Sequence, residues 1–412
     1  MSQPQPPVAL YVHLPFCVAR CPYCDFVVYA GADARGPRAR TDRLYEAVSR
    51  ELELRAELLD AAFGMLGVGD RPPLGSLYFG GGTPSLVPGE WLGRLVSIVR
   101  ARFGLAPEAE ITLEANPGPD ERGDLAAFRR LGVNRVSFGA QSMDGAELRR
   151  LGRRHSPGDV VAAVTEARAA GFESVNLDLL YDVPGQSLES WETTLREALR
   201  LAPDHLSLYA LTLDDPDAEG LTHEAGDHLP TPPGARRWRE RARAEQDDDR
   251  AADQYGLASE LLGAGGWRGY EISNWCRPGR ESRHNLAYWQ RRPYDAVGLG
   301  AHAFDGETRR WNAANLERYV AALLPADGAA TLPPGGSERL DTRTAASERV
   351  ILAMRLDDGV DAETATAPEF EPAFAWAEAS GLIERFDRDG RTRLRLTTRG
   401  RLLSNELFRR LV

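Results

Sequence analysis

Cys17, Cys21 and Cys24 sit in the run Tyr11-Val-His-Leu-Pro-Phe-Cys-Val-Ala-Arg-Cys-Pro-Tyr-Cys-Asp-Phe26 and are three of only four cysteines in 412 residues. Thiolates separated by gaps of three and two residues can hold three corners of a cubic iron–sulfur cluster, where cluster-binding runs normally supply four ligands. The missing fourth ligand leaves one iron open to an exogenous group. The competing chemistry is a zinc knuckle completed by Cys276 or a histidine. Zinc sites usually bring a second ligand pair in similar local spacing, whereas Cys276 stands alone in Asn274-Trp-Cys-Arg277. Soft sulfur ligands in this count and spacing favour the cluster over zinc.

Absences narrow the chemistry further. All 50 basic residues are arginine and the chain has no lysine. Schiff-base catalysis on a lysine, pyridoxal phosphate chemistry and a Walker-type phosphate loop are therefore excluded. The formal net charge of −11 argues against a nucleic-acid scaffold. No apolar run approaches the ~18 residues a membrane span needs. The first residues, Met1-Ser-Gln-Pro-Gln-Pro-Pro7, lack the basic-then-apolar layout of a secretion signal. The expectation is a soluble cytoplasmic protein, touching a membrane only through a partner. In that compartment sparse, clustered cysteines point to metal or redox work rather than to disulfides.

Strands alternating with helices must position these thiols. Val8–Leu14, Ser76–Phe79, Glu110–Ala115, Arg135–Ala140, Val175–Tyr181 and His205–Leu211 read as strands, with helical patterns such as Gly158–Ala170 and Leu188–Leu201 between them. That alternation predicts an α/β fold of about six parallel βα units, a partial TIM-like barrel, with chemistry gathered at the carboxyl ends of the strands. The charged stretch Arg236–Gly263 reads as a solvated helix face. Residues 1–325 would form the barrel, with a ligand-covering extension from about 216. The Pro-, Gly- and Ala-rich residues 326–340 would be a linker. Residues 341–412 would form a small winged-helix-like module. Its segment Pro368–Ser380 contains no basic residue, so DNA reading is not expected.

The Cys-x3-Cys-x2-Cys run resembles the mark of the radical S-adenosylmethionine superfamily. In that family the open iron binds the amino and carboxylate groups of S-adenosylmethionine, and the reduced cluster cleaves a carbon–sulfur bond to give a 5′-deoxyadenosyl radical. The resemblance extends to Gly80-Gly-Gly-Thr-Pro84, Glu114 in Leu113-Glu-Ala-Asn-Pro117, Gln141 in Phe138-Gly-Ala-Gln, Arg153 in Leu151-Gly-Arg and Asp178 in Asn176-Leu-Asp. It implies that Tyr11, Tyr23, Gly82, Thr83, Glu114, Gln141, Arg153 and Asp178 cradle the cofactor. Taken alone, a glycine run serves any tight turn, and a carboxylate near a strand end is commonplace.

Tyr11-Val-His-Leu-Pro-Phe, Tyr78-Phe-Gly-Gly-Gly-Thr-Pro, Glu114-Ala-Asn-Pro and Pro184-Gly-Gln are similar to the branch holding HemW-type heme chaperones and oxygen-independent coproporphyrinogen III oxidases. The oxidases carry a further cysteine two residues after the third; here that position is Phe26, the chaperone-like form. The resemblance implies a [4Fe–4S] cluster, S-adenosylmethionine and heme as cofactors, delivery of heme to an acceptor protein, and an electron donor if S-adenosylmethionine is cleaved. Radical decarboxylation of coproporphyrinogen III is the alternative. In Ser282-Arg-His-Asn-Leu-Ala-Tyr-Trp289, His284, Asn285, Tyr288 and Trp289 are heme-binding candidates, set against a reading in which they pack inside the fold. His13 and His302 have weaker claims. In Tyr181-Asp-Val-Pro-Gly185, Asp182 stands where the family more often has glycine, tuning either a turn or the site.

Overall fold

A computed structural model describes residues 4–67 and 71–412; Met1 to Gln3, part of the stretch read for a secretion signal, lie outside them. Strand β1 (Ala9–Leu14) runs through β2 (Phe16–Cys17), the cysteine loop and β3 (Tyr29–Ala30) to helix α1 (Thr41–Phe63). Next come β4 (Leu74–Gly81), α2 (Gly89–Arg102), β5 (Leu105–Ala115), α3 (Leu125–Arg130) and β6 (Arg135–Gln141). Helices α4 (Gly145–Arg150) and α5 (Pro157–Ala169), strand β7 (Ser174–Tyr181), helix α6 (Leu188–Arg200) and strand β8 (His205–Ala210) complete the repeat. Strands β1, β4, β5, β6, β7 and β8 lie side by side and parallel. This is the α/β partial barrel that the βα alternation predicts.

The stretch Arg236–Gly263 is two helices rather than one solvated face. Helix α7 (Pro233–Arg243) ends before Asp247, whose carboxylate caps α8 (Asp248–Ala264) by accepting from the Asp249 and Arg250 amides. Helix α8 buries Tyr255, Ala258 and Leu262 in the barrel's main apolar core.

Strands β9 (Arg268–Gly269) and β10 (Asn274–Cys276) extend the sheet antiparallel beyond β8. Helix α9 (Arg283–Trp289) then leads to β11 (Tyr294–Val297), a seventh parallel strand paired with β1 that the alternation did not reveal. Strands β12 (His302–Phe304) and β13 (Thr308–Asn312), helix α10 (Leu316–Leu323) and strand β14 (Gly335–Arg339) follow. Strand β14 pairs with β13 at the sheet edge, inside the stretch read as a linker. Glycine fits there because a Cβ on Gly335 or Gly336 would press into Trp311.

The remaining elements are α11 (Thr342–Arg355), β15 (Val360–Asp361), α12 (Ala362–Thr366), α13 (Glu371–Ala379), β16 (Ile383–Arg388), β17 (Arg391–Leu396), α14 (Thr398–Leu402) and α15 (Ser404–Leu411). Their three-stranded sheet and helices enclose a separate apolar core around Met354, Phe374, Leu394 and Leu407. Arg401 donates to the Glu271 and Gly269 carbonyls, and the Arg355 guanidinium lies 4.4 Å over the Trp289 ring, so this unit braces α9.

Candidate functional site

Side chains alternate across a strand, and the barrel sorts them by chemistry. Leu10, Val12, Leu77, Phe79, Ile111, Leu113, Val136, Phe138, Val175, Leu177, Leu206 and Leu208 join the apolar core. The intervening positions carry Tyr78, Glu114, Arg135, Ser137, Asn176, Asp178, His205, Ser207 and Tyr209, and these line a single cavity of about 400 Å³. Parallel strands buried on both faces are normally near-continuous apolar runs, so a polar lumen marks a place built to receive something.

At the carboxyl end of β1 the cysteine loop closes over this lumen. The half-buried thiols of Cys17, Cys21 and Cys24 border one hollow with Gly81, Gly82, Asn116 and Arg153. Three features hold the loop. β2 pairs with β3 at its two ends. The Tyr11 hydroxyl lies 3.0 Å from His13 Nδ1, while His13 Nε2 lies 2.9 Å from the Val27 carbonyl. A carbonyl only accepts, so Nε2 carries the proton and Nδ1 takes the tyrosine's. Arg239 on α7, only 4% exposed, donates to the carbonyls of Pro22 (3.1 Å), Tyr23 (3.3 Å) and Cys24 (2.9 Å), and to that of Asp214. Burial raises the metal-free thiols, Cys17 to about 11 and Cys24 to about 12, so loading a metal cluster would displace protons.

The rest of the cradle hangs on β4, β5 and β6. Gly81 has φ +117°, and a Cβ there would lie 2.6 Å from the His13 ring; its amide donates to Glu114 Oε2 at 3.0 Å. On Gly82 a Cβ would meet the Pro15 and Phe16 backbone within 2.8 Å. The Tyr78 hydroxyl donates to Glu114 Oε1 at 2.9 Å. Burial, aided by Asp178, raises Glu114 to about 7.

Asn116 joins the cluster side to the lumen. It donates to Thr83 Oγ1 at 3.0 Å and accepts from Arg153. With its oxygen already accepting, the Thr83 hydroxyl is free to donate to Cys17 Sγ, 3.2 Å away. Arg153 also reaches the Gly139 carbonyl (2.7 Å) and Cys21 Sγ (3.5 Å). A buried guanidinium there would offset the charge of an anionic cluster held by these sulfurs. Gln141 ends β6 in the left-handed region (φ +66°), beside a break in the β6–β7 register. Strain of this kind on a non-glycine residue gathers at functional positions. Asp178 accepts from Ser137 (3.0 Å) and Asn176 (2.7 Å), while Tyr23 packs toward Trp238. The structure thus brings together the three cysteines, Tyr23, Gly82, Glu114, Gln141, Arg153 and Asp178 around one hollow. Thr83 contacts it through Cys17, and Tyr11 lies behind it against Gly80 and His13.

The α9 residues divide. Asn285 faces the lumen cavity. His284 is buried, with Nδ1 2.9 Å from the Ser76 hydroxyl and Nε2 2.7 Å from that of Tyr288. Its ring lies 5.0 Å from Tyr78 and burial lowers it to about 3, so it is neutral. Trp289 lies under Arg355. Cys276 pairs with His205, the first residue of β8, at the amino end of the barrel. The other thiols stand at the carboxyl end, so Cys276 is no fourth ligand to them. Asp182 takes φ +55°, which explains glycine's preference there. Its carboxylate ties the turn to Arg250 and its amide to Gln254 (2.9 Å), so it tunes a turn and not the cradle.

Arg239, Asn116 and the Tyr78–Glu114 pair went unread in the sequence. Arg239 sits in a charged run that spacing alone does not relate to a loop 215 residues away. Asn116 lies within a quoted motif, and the alternating polar positions of β4 to β8 were a visible signal.

A family model described as the radical SAM superfamily matches residues 11–198. The chain is 41% identical over 409 residues to the heme chaperone HemW of Mycobacterium tuberculosis H37Rv, covering 99% of this chain and 96% of that one. It is 37% identical over 297 residues to the heme chaperone HemW of Escherichia coli, covering 72% and 70%. The fold superposes on coproporphyrinogen III oxidase (HemN) from Escherichia coli, a radical SAM enzyme, with a TM-score of 0.76 and 24% identity over 99% of this chain and 91% of that one. The chain belongs to the radical SAM superfamily. Within it, these relatives put the chain in the HemW/HemN-like branch. The superfamily implies a [4Fe–4S] cluster and S-adenosylmethionine, and the thiol-bordered hollow fits such a group.

Proposed function

We propose that the protein binds heme and passes it to an acceptor protein, holding a [4Fe–4S] cluster on Cys17, Cys21 and Cys24 with S-adenosylmethionine beside it. When bound, the cluster supplies an open iron and, with an electron donor, reducing power. The chain's own residues do the rest. Gly81 and Gly82 let backbone approach closely, Glu114 offers a carboxylate to an amino group, Arg153 offers positive charge, and Gln141 and Asp178 line the remaining wall.

One observation carries the heme reading over decarboxylation. Phe26 stands where the oxidases have an additional cysteine, and it is 62% exposed at the lip shared by the thiol hollow and the lumen. A bare aromatic ring there suits the face of a flat apolar ligand. The HemW name of the relatives points the same way. His284 is the axial-ligand candidate. Ser76 holds Nδ1 as an outer partner holds a metal-bound imidazole. His284 does not itself line the lumen, so binding iron at Nε2 would require Tyr288 to give up its hydrogen bond and the α9 wall to open. Asn285 would shape that side of the site directly, with Tyr288 behind it against His284 and Trp289 packed under Arg355 outside the cavity lining. Anaerobic reconstitution followed by parallel heme titration and coproporphyrinogen incubation tests this. A saturable Soret band that weakens in His284→Ala, with coproporphyrinogen unchanged, is expected; conversion to protoporphyrinogen would defeat it.

A further inference from the structure

The lumen cavity is lined by one guanidinium, that of Arg135. It is the first residue of β6 and shares the inward face with Ser137, Gly139 and Gln141, so it forms the floor beneath the cradle. Arg135 is only 4% exposed. Its hydrogen-bond partners are both neutral: the Ser174 hydroxyl at 2.8 Å and, more weakly, the Arg280 carbonyl at 3.4 Å. Among the described residues no carboxylate lies within ion-pair distance of it. A guanidinium has five donors, and both contacts use Nη1. A buried charge without an opposite partner is costly, and proteins ordinarily pair it.

The rest of the lumen says what partner it awaits. Four carboxylates line the lumen: Asp25 and Asp214 lie in loops, and Glu114 and Asp178 are held by their own donors. None is within ion-pair distance of Arg135, whose charge only partly offsets the burial-driven rise of Asp178. His205, the nearest basic competitor on the floor, spends Nδ1 on Asn176 and Nε2 on Tyr270. Above the floor, the walls of the same cavity include Tyr23, Phe26, Leu180 and Leu211. Aromatic and apolar residues on the upper walls, above a polar floor with one guanidinium that has no ion-pair partner, match a flat apolar molecule with carboxylates along one edge. We propose that Arg135 is the carboxylate anchor of the lumen, taking an edge carboxylate of the bound porphyrin and so fixing which way the macrocycle enters. The assignment rests on the heme reading above and adds to it the orientation of the cargo.

Heme and its dimethyl ester separate the two claims, because esterification removes the carboxylate charges and leaves the iron untouched. Each is titrated into wild type, Arg135→Gln and Arg135→Lys, followed by the Soret band. A charged hydrogen bond predicts that wild type prefers the free acid by at least about ten-fold. Arg135→Gln, which keeps a donor for Ser174, should reduce that preference to within about two-fold. Arg135→Lys should retain part of it. Equal preference in wild type and Arg135→Gln overturns the anchor while leaving the heme reading intact. If neither porphyrin binds wild type, the heme reading falls and takes the anchor with it. Should Arg135→Gln fail to fold, the wild-type acid-to-ester ratio decides, and a ratio near unity overturns the proposal.

Discussion

Replacing Arg239 by Met removes the guanidinium from behind the cysteine loop and keeps the apolar stem that α7 packs against its neighbours. Three loop carbonyls, those of Pro22, Tyr23 and Cys24, lose Arg239 as donor, the last keeping only a weak contact from Arg20 (3.4 Å), and the Asp214 carbonyl loses its own. The loop borders a hollow, so water can reach these oxygens, and each lost bond counts at the low end, about 1 kcal/mol. Three bonds give about 3 kcal/mol for local opening, or roughly 100-fold in the opening equilibrium. Little of this appears in global stability, because the opened loop carries few residues of the main apolar core. Hydrogen exchange of the amides from Ala19 to Phe26 in metal-free protein measures it directly. The expected result is exchange accelerated by roughly two orders of magnitude there, with the β5 and β6 amides unchanged, and faster loss of iron to a chelator after reconstitution. Unchanged exchange in the loop would refute the claim that α7 clamps it.

Gly81→Ala forces a Cβ into the His13 ring at a left-handed backbone position. Strain and overpacking together predict a loss of about 2–4 kcal/mol, read as a lower urea midpoint. Glu114 titrates near 7 in the folded chain against about 4.5 when unfolded, so the folded state binds its proton more tightly. Its contribution is fully present below pH 4.5 and is lost as pH rises to 7, by about 3 kcal/mol. Cluster-free Glu114→Gln should therefore lose less stability than wild type between pH 5 and 8; parallel curves would contradict this. Asp182→Gly suits φ +55° but removes a buried carboxylate that holds Arg250 and the Asp247 amide, so relief of strain only partly offsets the loss and it should cost about 1–2 kcal/mol. Asp182→Val should cost about 2 kcal/mol or more in the same denaturation assay.

Local signals were legible and distant ones were not. The cysteine run declares itself because its meaning lies in gaps of three and two residues. The six parallel strands are legible because each is a short apolar run between helical periods. Strand β11 escapes notice because its four residues carry little pattern and its partner, β1, lies nearly 300 residues earlier. Strand β14 was hidden by the same Gly and Pro content that makes a linker, although two of its glycines serve to pass Trp311. At Asp182 the departure from glycine was visible, but only the backbone angle shows that the position asks for φ rather than for a small side chain. Cys276 could be weighed as a ligand until strand order put it at the far end of the barrel.

A Soret titration of the anaerobically reconstituted wild-type protein tests the central claim most directly. Heme reception in this lumen predicts a band that saturates at equimolar heme. A featureless rise in absorbance with added heme, showing no saturation, would contradict it.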